Sequence, residues 1–231
     1  MQVKINLRIF FFIGIFLITK QIEIYGVIML FAFLHELGHL FMGLILGFKP
    51  QNLCINPMGI SISFKINAKD YNQKILKANK FIIKKILIAI AGPTVNFLLA
   101  TVFIQNNLNL FGIKKELIVF SNILIAIFNL IPIYPLDGGR VLKYIIHIFK
   151  GLEKSNTYIN TVSNISVIIL TMVSSIAIIY LKNISIIFII VYLWFLVINE
   201  NQLYNQRLKI YEVLNTMNND ENKIKKENVN Y

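Results

Sequence analysis

Residues 35–39 read His35-Glu36-Leu37-Gly38-His39, the pattern HExxH. On a helix, residues i and i+4 share a face, so both imidazoles can reach one cation, and the Glu beside the first of them can take a proton from a water. Nitrogen and oxygen donors suit zinc, which takes a tetrahedral shell with one position left open for chemistry. That leaves one protein ligand to be found. The pattern lies inside GVIMLFAFLHELGHLFMGLILGF, residues 26–48, a stretch otherwise oily enough to cross a bilayer. Ionisable groups at that depth are expensive and mark function. Polar side chains bonding between helices are the plain alternative. Three ionisable groups in a turn and a half, including two of the chain's 3 histidines, favour a metal site.

The missing ligand should be an acid, imidazole or thiol close to a membrane span. Of the 11 Asp and Glu residues, Asp137 ends a hydrophobic run, in Asn129-Leu-Ile-Pro-Ile-Tyr-Pro-Leu-Asp137-Gly-Gly-Arg140. Pro132 and Pro135 interrupt that run and free its backbone from helical bonding, and Gly138 and Gly139 allow a tight turn beside an ion. Irregular backbone at membrane depth is tolerated where it lines a wet cavity, which a hydrolase needs. His147 and Cys54 are the competing ligands. His147 lies on a surface helix and reads better as an interfacial residue.

The elements that must position these groups are membrane helices. The 231 residues are 56% hydrophobic and 15% charged, with mean hydropathy +0.66, well outside the balance of a soluble domain. The apolar residues come in long blocks, whereas a membrane β-barrel shows short alternating segments. The expected fold is an all-α polytopic membrane protein with six transmembrane helices, at 6–19, 24–48, 81–104, 117–134, 161–181 and 184–199. The first follows Lys4 and Arg8 like a signal peptide, but no small-residue cleavage site comes after it, so it reads as a retained span. Between the second and third spans, Ile60, Ile62 and Phe64 alternate with Ser61 and Ser63 after the turn signals Asn56-Pro57 and Gly59. This predicts a short membrane-associated β-hairpin near residues 53–65. Its free edge could take an extended substrate by strand addition, and a plain amphipathic hairpin lying on the membrane surface is an equally good reading. Residues 139–150 place Val141, Leu142, Ile145, Ile146 and Phe149 on one helix face, as an interfacial helix does. Two regions result, a six-span domain at 1–200 and a polar cytoplasmic tail at 201–231 whose composition suggests disorder.

The net charge of +12 raises the question of nucleic acid, but the basic residues are distributed otherwise. Of 23 Lys and Arg, 19 fall in segments 1–8, 48–85, 135–158 and 201–231, which share one side if the spans alternate. That asymmetry is the positive-inside rule, with both termini cytoplasmic. The basic excess orients the chain in the cell membrane and touches anionic lipid; nucleic acid is not an expected partner. The single cysteine permits no internal disulfide, which fits a reduced thiol in a cytoplasmic loop.

HELGH in one span, AGPTVN in the next and NLIPIYPLDGGR in a third resemble the site-2 protease family, peptidase family M50, of intramembrane zinc metalloproteases. The resemblance runs over nearly all of residues 1–200. It implies one zinc ion held by His35, His39 and Asp137, with Glu36 as catalytic base. It also implies Asn129 near the active site, bonding substrate or the developing oxyanion, and Ala91-Gly92-Pro93 with Asn96 where a helix approaches the active-site span. For the last group, packing through small residues is an equally good reading. The expected activity is hydrolysis of a peptide bond in or near the membrane segment of a membrane-tethered regulatory protein, with membrane-embedded inhibitor or regulatory proteins as further partners. The small core without a PDZ domain resembles the branch typified by stage IV sporulation protein FB, which trims a sporulation sigma-factor precursor. The tail after residue 200 departs from that branch, being too short for its CBS domain. A catalytically silent membrane scaffold or chaperone on the same fold is the alternative, and the presence of every expected chemical group argues against it.

Overall fold

The computed structural model describes the backbone of residues 2–5, 8–18, 20, 22–56, 59–65, 75–106, 113–181 and 185–229. In chain order these form β1 (Gln2–Ile5), α1 (Arg8–Ile18), α2 (Ile22–Ile45), β2 (Lys49–Asn56), β3 (Gly59–Lys65), α3 (Ile75–Asn106), α4 (Lys115–Leu130), α5 (Asp137–Lys150), α6 (Leu152–Leu181) and α7 (Ser185–Val229).

Four helical stretches among the described residues are long and apolar enough to cross a membrane: Ile22–Ile45, Asn79–Asn106, Leu152–Tyr180 and Ile186–Ile210. The first and fourth of the six expected spans fall short. At about 1.5 Å per residue, the 11 residues of α1 and the 16 of α4 reach only about half and four-fifths of a bilayer's hydrocarbon core of about 30 Å. The helix of α4 stops at Leu130, before Pro132, because a proline cannot donate the next helical hydrogen bond and pushes its predecessor into extended geometry; Ile131 has φ −60° and ψ 136°.

Helices α2, α3 and α4 pack together around Val27, Phe31, Ala32, Phe103, Ile118 and Ile125. Gly38 of α2 makes part of this close approach possible, since a Cβ there would lie 2.7 Å from Val95 Cγ2 and 3.1 Å from the Ala91 carbonyl oxygen. A second apolar cluster joins Ile133, in the stretch between α4 and α5, to Val167 of α6 and to Leu193 and Val197 of α7.

The hairpin is present and longer than its sequence signal. Strand β2 pairs antiparallel with β3, with Leu53 opposite Ile62, and the register shifts between Pro50 and Asn52. The expected turn at Pro57 lies outside the described residues, as do the side chains of Ile60 and Ile62. β1 adds parallel to β2, which leaves β3 at an edge of a three-stranded sheet. The hairpin docks through Phe64, whose ring fills the notch left by Gly43 of α2 and makes an edge contact with Phe48 at 6.0 Å between centroids.

The polar tail differs from expectation: α7 continues through residues 201–229 as one helix. The apolar span supplies the costly helical nucleus, so each following residue adds only the cheaper propagation step, and Glu, Lys, Gln and Leu favour it.

Candidate metal centre

His35 and His39 project from one face of α2 and are buried, as is Asp137 at the first position of α5. Among the described residues they form a single group able to hold a metal ion, with their ligand atoms within 4.8 Å of one another. Asp137 Oδ2 lies 3.0 Å from Nε2 of each histidine, and the two Nε2 atoms are 3.1 Å apart.

The hydrogen bonds behind the rings decide which nitrogens carry protons. Asn122 of α4 donates through Nδ2 to the Ile118 carbonyl at 2.9 Å, an acceptor whose identity is fixed. Its Oδ1 must therefore be the atom that accepts from Asn96 Nδ2, at 2.9 Å. Asn96 then turns its own Oδ1 to His35 Nδ1, at 2.6 Å, which makes that nitrogen the donor. His39 Nδ1 likewise donates to the Ile88 carbonyl at 2.7 Å. In neutral rings so held, both Nε2 atoms present lone pairs to each other and to a carboxylate oxygen. Three acceptors converging in this way repel one another unless a cation lies among them. Their spacing suits one: donors at tetrahedral angles and zinc-like bond lengths stand about 3.3 Å apart, so each edge of the triangle need open only slightly.

Local sequence explains how the three groups meet. Gly92 of α3 lies directly against the imidazoles, and a Cβ there would stand 2.6 Å from His35 Nε2. Pro93 removes the N–H that would bond the Ala89 carbonyl, loosening α3 next to the Ile88 carbonyl that His39 uses. On the other side, the stretch 131–136 is pinned by Ile133 N–H to the Ile131 carbonyl at 2.7 Å, Leu136 N–H to the Ile133 carbonyl at 2.8 Å and Tyr134 N–H to Ser163 Oγ of α6 at 2.9 Å. Gly138 and Gly139 serve this stretch differently from expectation. Both are helical, and what matters is the missing Cβ, which at Gly139 would stand 2.6 Å from the Ile133 oxygen. The first turn of α5 can therefore rest on backbone, with its positive dipole end at the Asp137 carboxylate.

Glu36 is half-buried and lines a cavity of about 250 Å³ together with His39, Phe64, Lys85, Arg140 and Tyr144. Arg140 Nη1 is 3.6 Å from Asp137 Oδ1, the oxygen turned away from the histidines. Asn129 is not brought into this cavity. Its Nδ2 bonds the Ile125 carbonyl of its own helix at 3.0 Å, and it lines a second, mainly apolar cavity of about 160 Å³ with Phe16, Tyr25, Met29, Leu136 and Ile189. His147 lies ten residues beyond Asp137 on α5, outside the ligand group, its pKa lowered by burial and by Lys85 and Lys143. Cys54 falls in β2, opposite Ser61, and its side chain lies outside the described residues.

The sequence profile of peptidase family M50 matches residues 114–173, which carry α4, the Asp137 stretch, α5 and the start of α6. Zinc metalloprotease MJ0392 of Methanocaldococcus jannaschii is 31% identical over 129 residues, 53% of this chain and 34% of the relative. Over these stretches the chain is similar to members of peptidase family M50. The solved structure of a site-2 protease from Methanocaldococcus jannaschii matches this chain with a TM-score of 0.64 over 86% of it and 89% of the other, at 22% identity, and so shares its fold. The matched part of the chain spans about a third of the length of the curated relative, 34%.

Asn122 is a site-supporting residue that no sequence motif above includes. The signal available is a lone amide seven residues before Asn129 in an apolar run, where an unsatisfied polar group would be costly.

Proposed function

We propose that this protein is an intramembrane zinc metalloprotease that cuts a membrane-tethered protein in or near its membrane segment. The observation that carries the reading is the convergence of His35 Nε2, His39 Nε2 and Asp137 Oδ2, all acceptors, beside a cavity that also holds Glu36.

His35, His39 and Asp137 would hold the ion, with Asn96 and the Ile88 carbonyl keeping both rings in the tautomer that binds a metal. Bound zinc supplies Lewis acidity to the scissile carbonyl and to the attacking water. Glu36 accepts the water's proton and returns it to the leaving amine, a role open to a carboxylate within one residue of a ligand. A helical substrate hides its carbonyls in its own hydrogen bonds, so it must be held extended. The edge strand β3 fits that task, because Ser63 and Phe64 line the cavity with Glu36. Asn129, bonded to its own helix and facing the second cavity, is given no role at the reacting carbonyl.

Within this reading the chain crosses the membrane six times with both termini cytoplasmic. α4 completes its crossing through the irregular, turn-containing residues 131–136, which are shielded by α5, α6 and α7. The product leaves to the cytosol, and a sporulation sigma-factor precursor is the substrate proposed first.

The test is co-expression of that precursor with wild type or Glu36→Gln at matched levels, with zinc content measured on the purified proteins. The expected result is a shortened product with wild type alone and one zinc per chain in both. A product that persists with Glu36→Gln would remove the catalytic assignment. Bound zinc without a product would turn the substrate search to other membrane-tethered regulators.

A further inference from the structure

The cavity that holds Glu36 also presents two cations. Lys85 comes from α3 and Arg140 from α5, and Tyr134, Tyr144 and Phe64 complete this part of the lining. Lys85 Nζ stands 4.5 Å from the Phe81 ring centre and 5.6 Å from that of Tyr144, which holds the ammonium over aromatic faces at the cavity. Arg140 sits 3.6 Å from Asp137 Oδ1, a loose ion pair that leaves further donors of its five-donor guanidinium for another acceptor. The surroundings are rich in positive charge as well. Burial lowers the Lys143 pKa to about 8, with Arg207 and Lys85 adding repulsion, and Lys85 and Lys143 together act on His147 in the same sense.

An extended segment added to the edge of β3 passes Ser63 and Phe64, and its alternate side chains point to one face. One of them must then face the cavity. A carboxylate there would form charge-assisted hydrogen bonds with Lys85 or Arg140 in a partly water-excluded space, whereas an ammonium would meet like charge from both cations and opposite charge from Glu36 alone.

We propose that this cavity is a subsite for an acidic side chain, Asp or Glu, of the substrate segment next to the bond that is cut. The proposal rests on the protease reading for the words "substrate" and "cut", and on Lys85 and Arg140 for the charge.

The test uses full-length protein in neutral detergent and a set of peptides of one extended sequence in which Asp, Ala or Lys is walked through each position. Binding is read by fluorescence anisotropy on metal-stripped protein, and cleavage on zinc-loaded protein. At one position Asp should bind about tenfold tighter than Lys, as expected for a close charge pair. Lys85→Glu should reverse that order, and Lys85→Gln should abolish it. Equal affinity for all three residues at every position, or an order unchanged in Lys85→Glu, overturns the proposal. So does loss of the preference in nanodiscs containing phosphatidylglycerol, which would assign the cavity to a lipid headgroup. The charge order in binding without cleavage of any peptide supports the acidic subsite and sinks the protease reading instead.

Discussion

His35, His39 and Asp137, the proposed ligands, are held by partners as specific as themselves, and each partner makes a separate prediction. Asp137→Ala should lose zinc and activity, while His147→Ala keeps both, because His147 lies outside the ligand group; metal analysis of the purified variants checks this. Asn96 and Asn122 never touch the ion, yet they set the His35 tautomer through bonds of 2.6 and 2.9 Å. Asn122→Ala should therefore weaken zinc affinity by about 10-fold to 100-fold, the usual effect of removing an outer-shell partner. Competition with a zinc chelator measures it, and Asn122→Asp, which retains the acceptor oxygen, should recover part of the loss. Unchanged affinity in Asn122→Ala would show that the chain of amides does not orient the ring.

At the scale of elements, the hairpin and α5 each make a claim that metal content alone cannot reach. Phe64 docks in the notch at Gly43, so Gly43→Leu should push the hairpin off α2 and lower cleavage at least about tenfold, in line with the sensitivity of catalysis to misplaced binding elements. Zinc should stay bound, because the ligands lie on α2 and α5. For α5, the pKa of Lys143 is depressed to about 8, first by burial and then by Arg207. A lysine whose folded pKa lies below its unfolded value of about 10.4 binds fewer protons folded than unfolded, so stability rises as pH climbs between these two values. Lys143→Met should raise the thermal midpoint at pH 7 and lose most of that advantage by pH 10, followed by circular dichroism in detergent. A constant increment across that range would mean that the charge of Lys143 is not what the fold works against.

For the whole molecule, the question is how many times the chain crosses. Among the described residues four helical stretches reach the required length, and α4 stops at 16 residues where Pro132 follows. Fusing a reporter active only in the cytosol, and one active only outside it, to either end should place both termini in the cytosol. Opposite ends on opposite sides would mean an odd number of crossings and would remove either α1 or α4 from the list of spans.

Much of this was legible in the residues themselves. HExxH places its two imidazoles on one face through the period of the helix alone, and the apolar blocks name a membrane protein because no other solvent suits them. The alternation of Ile60, Ser61, Ile62, Ser63 and Phe64 marks a strand by the same kind of local rule. Local rules could not say that Asn129 bonds its own helix while Asn122 reaches Asn96, since both are single amides on α4 and only the packing of α3 distinguishes them. Nor could they separate a glycine needed for its dihedral angles from Gly92 and Gly139, which are needed because another chain segment lies where a Cβ would be. They also left the tail as polar composition, while helix propagation from an apolar span depends on the neighbour that nucleates it. Periodicity and composition act within one segment and can be read from it. Partnership between segments, which joins Asp137 to two histidines about a hundred residues away, exists only once the chain has folded.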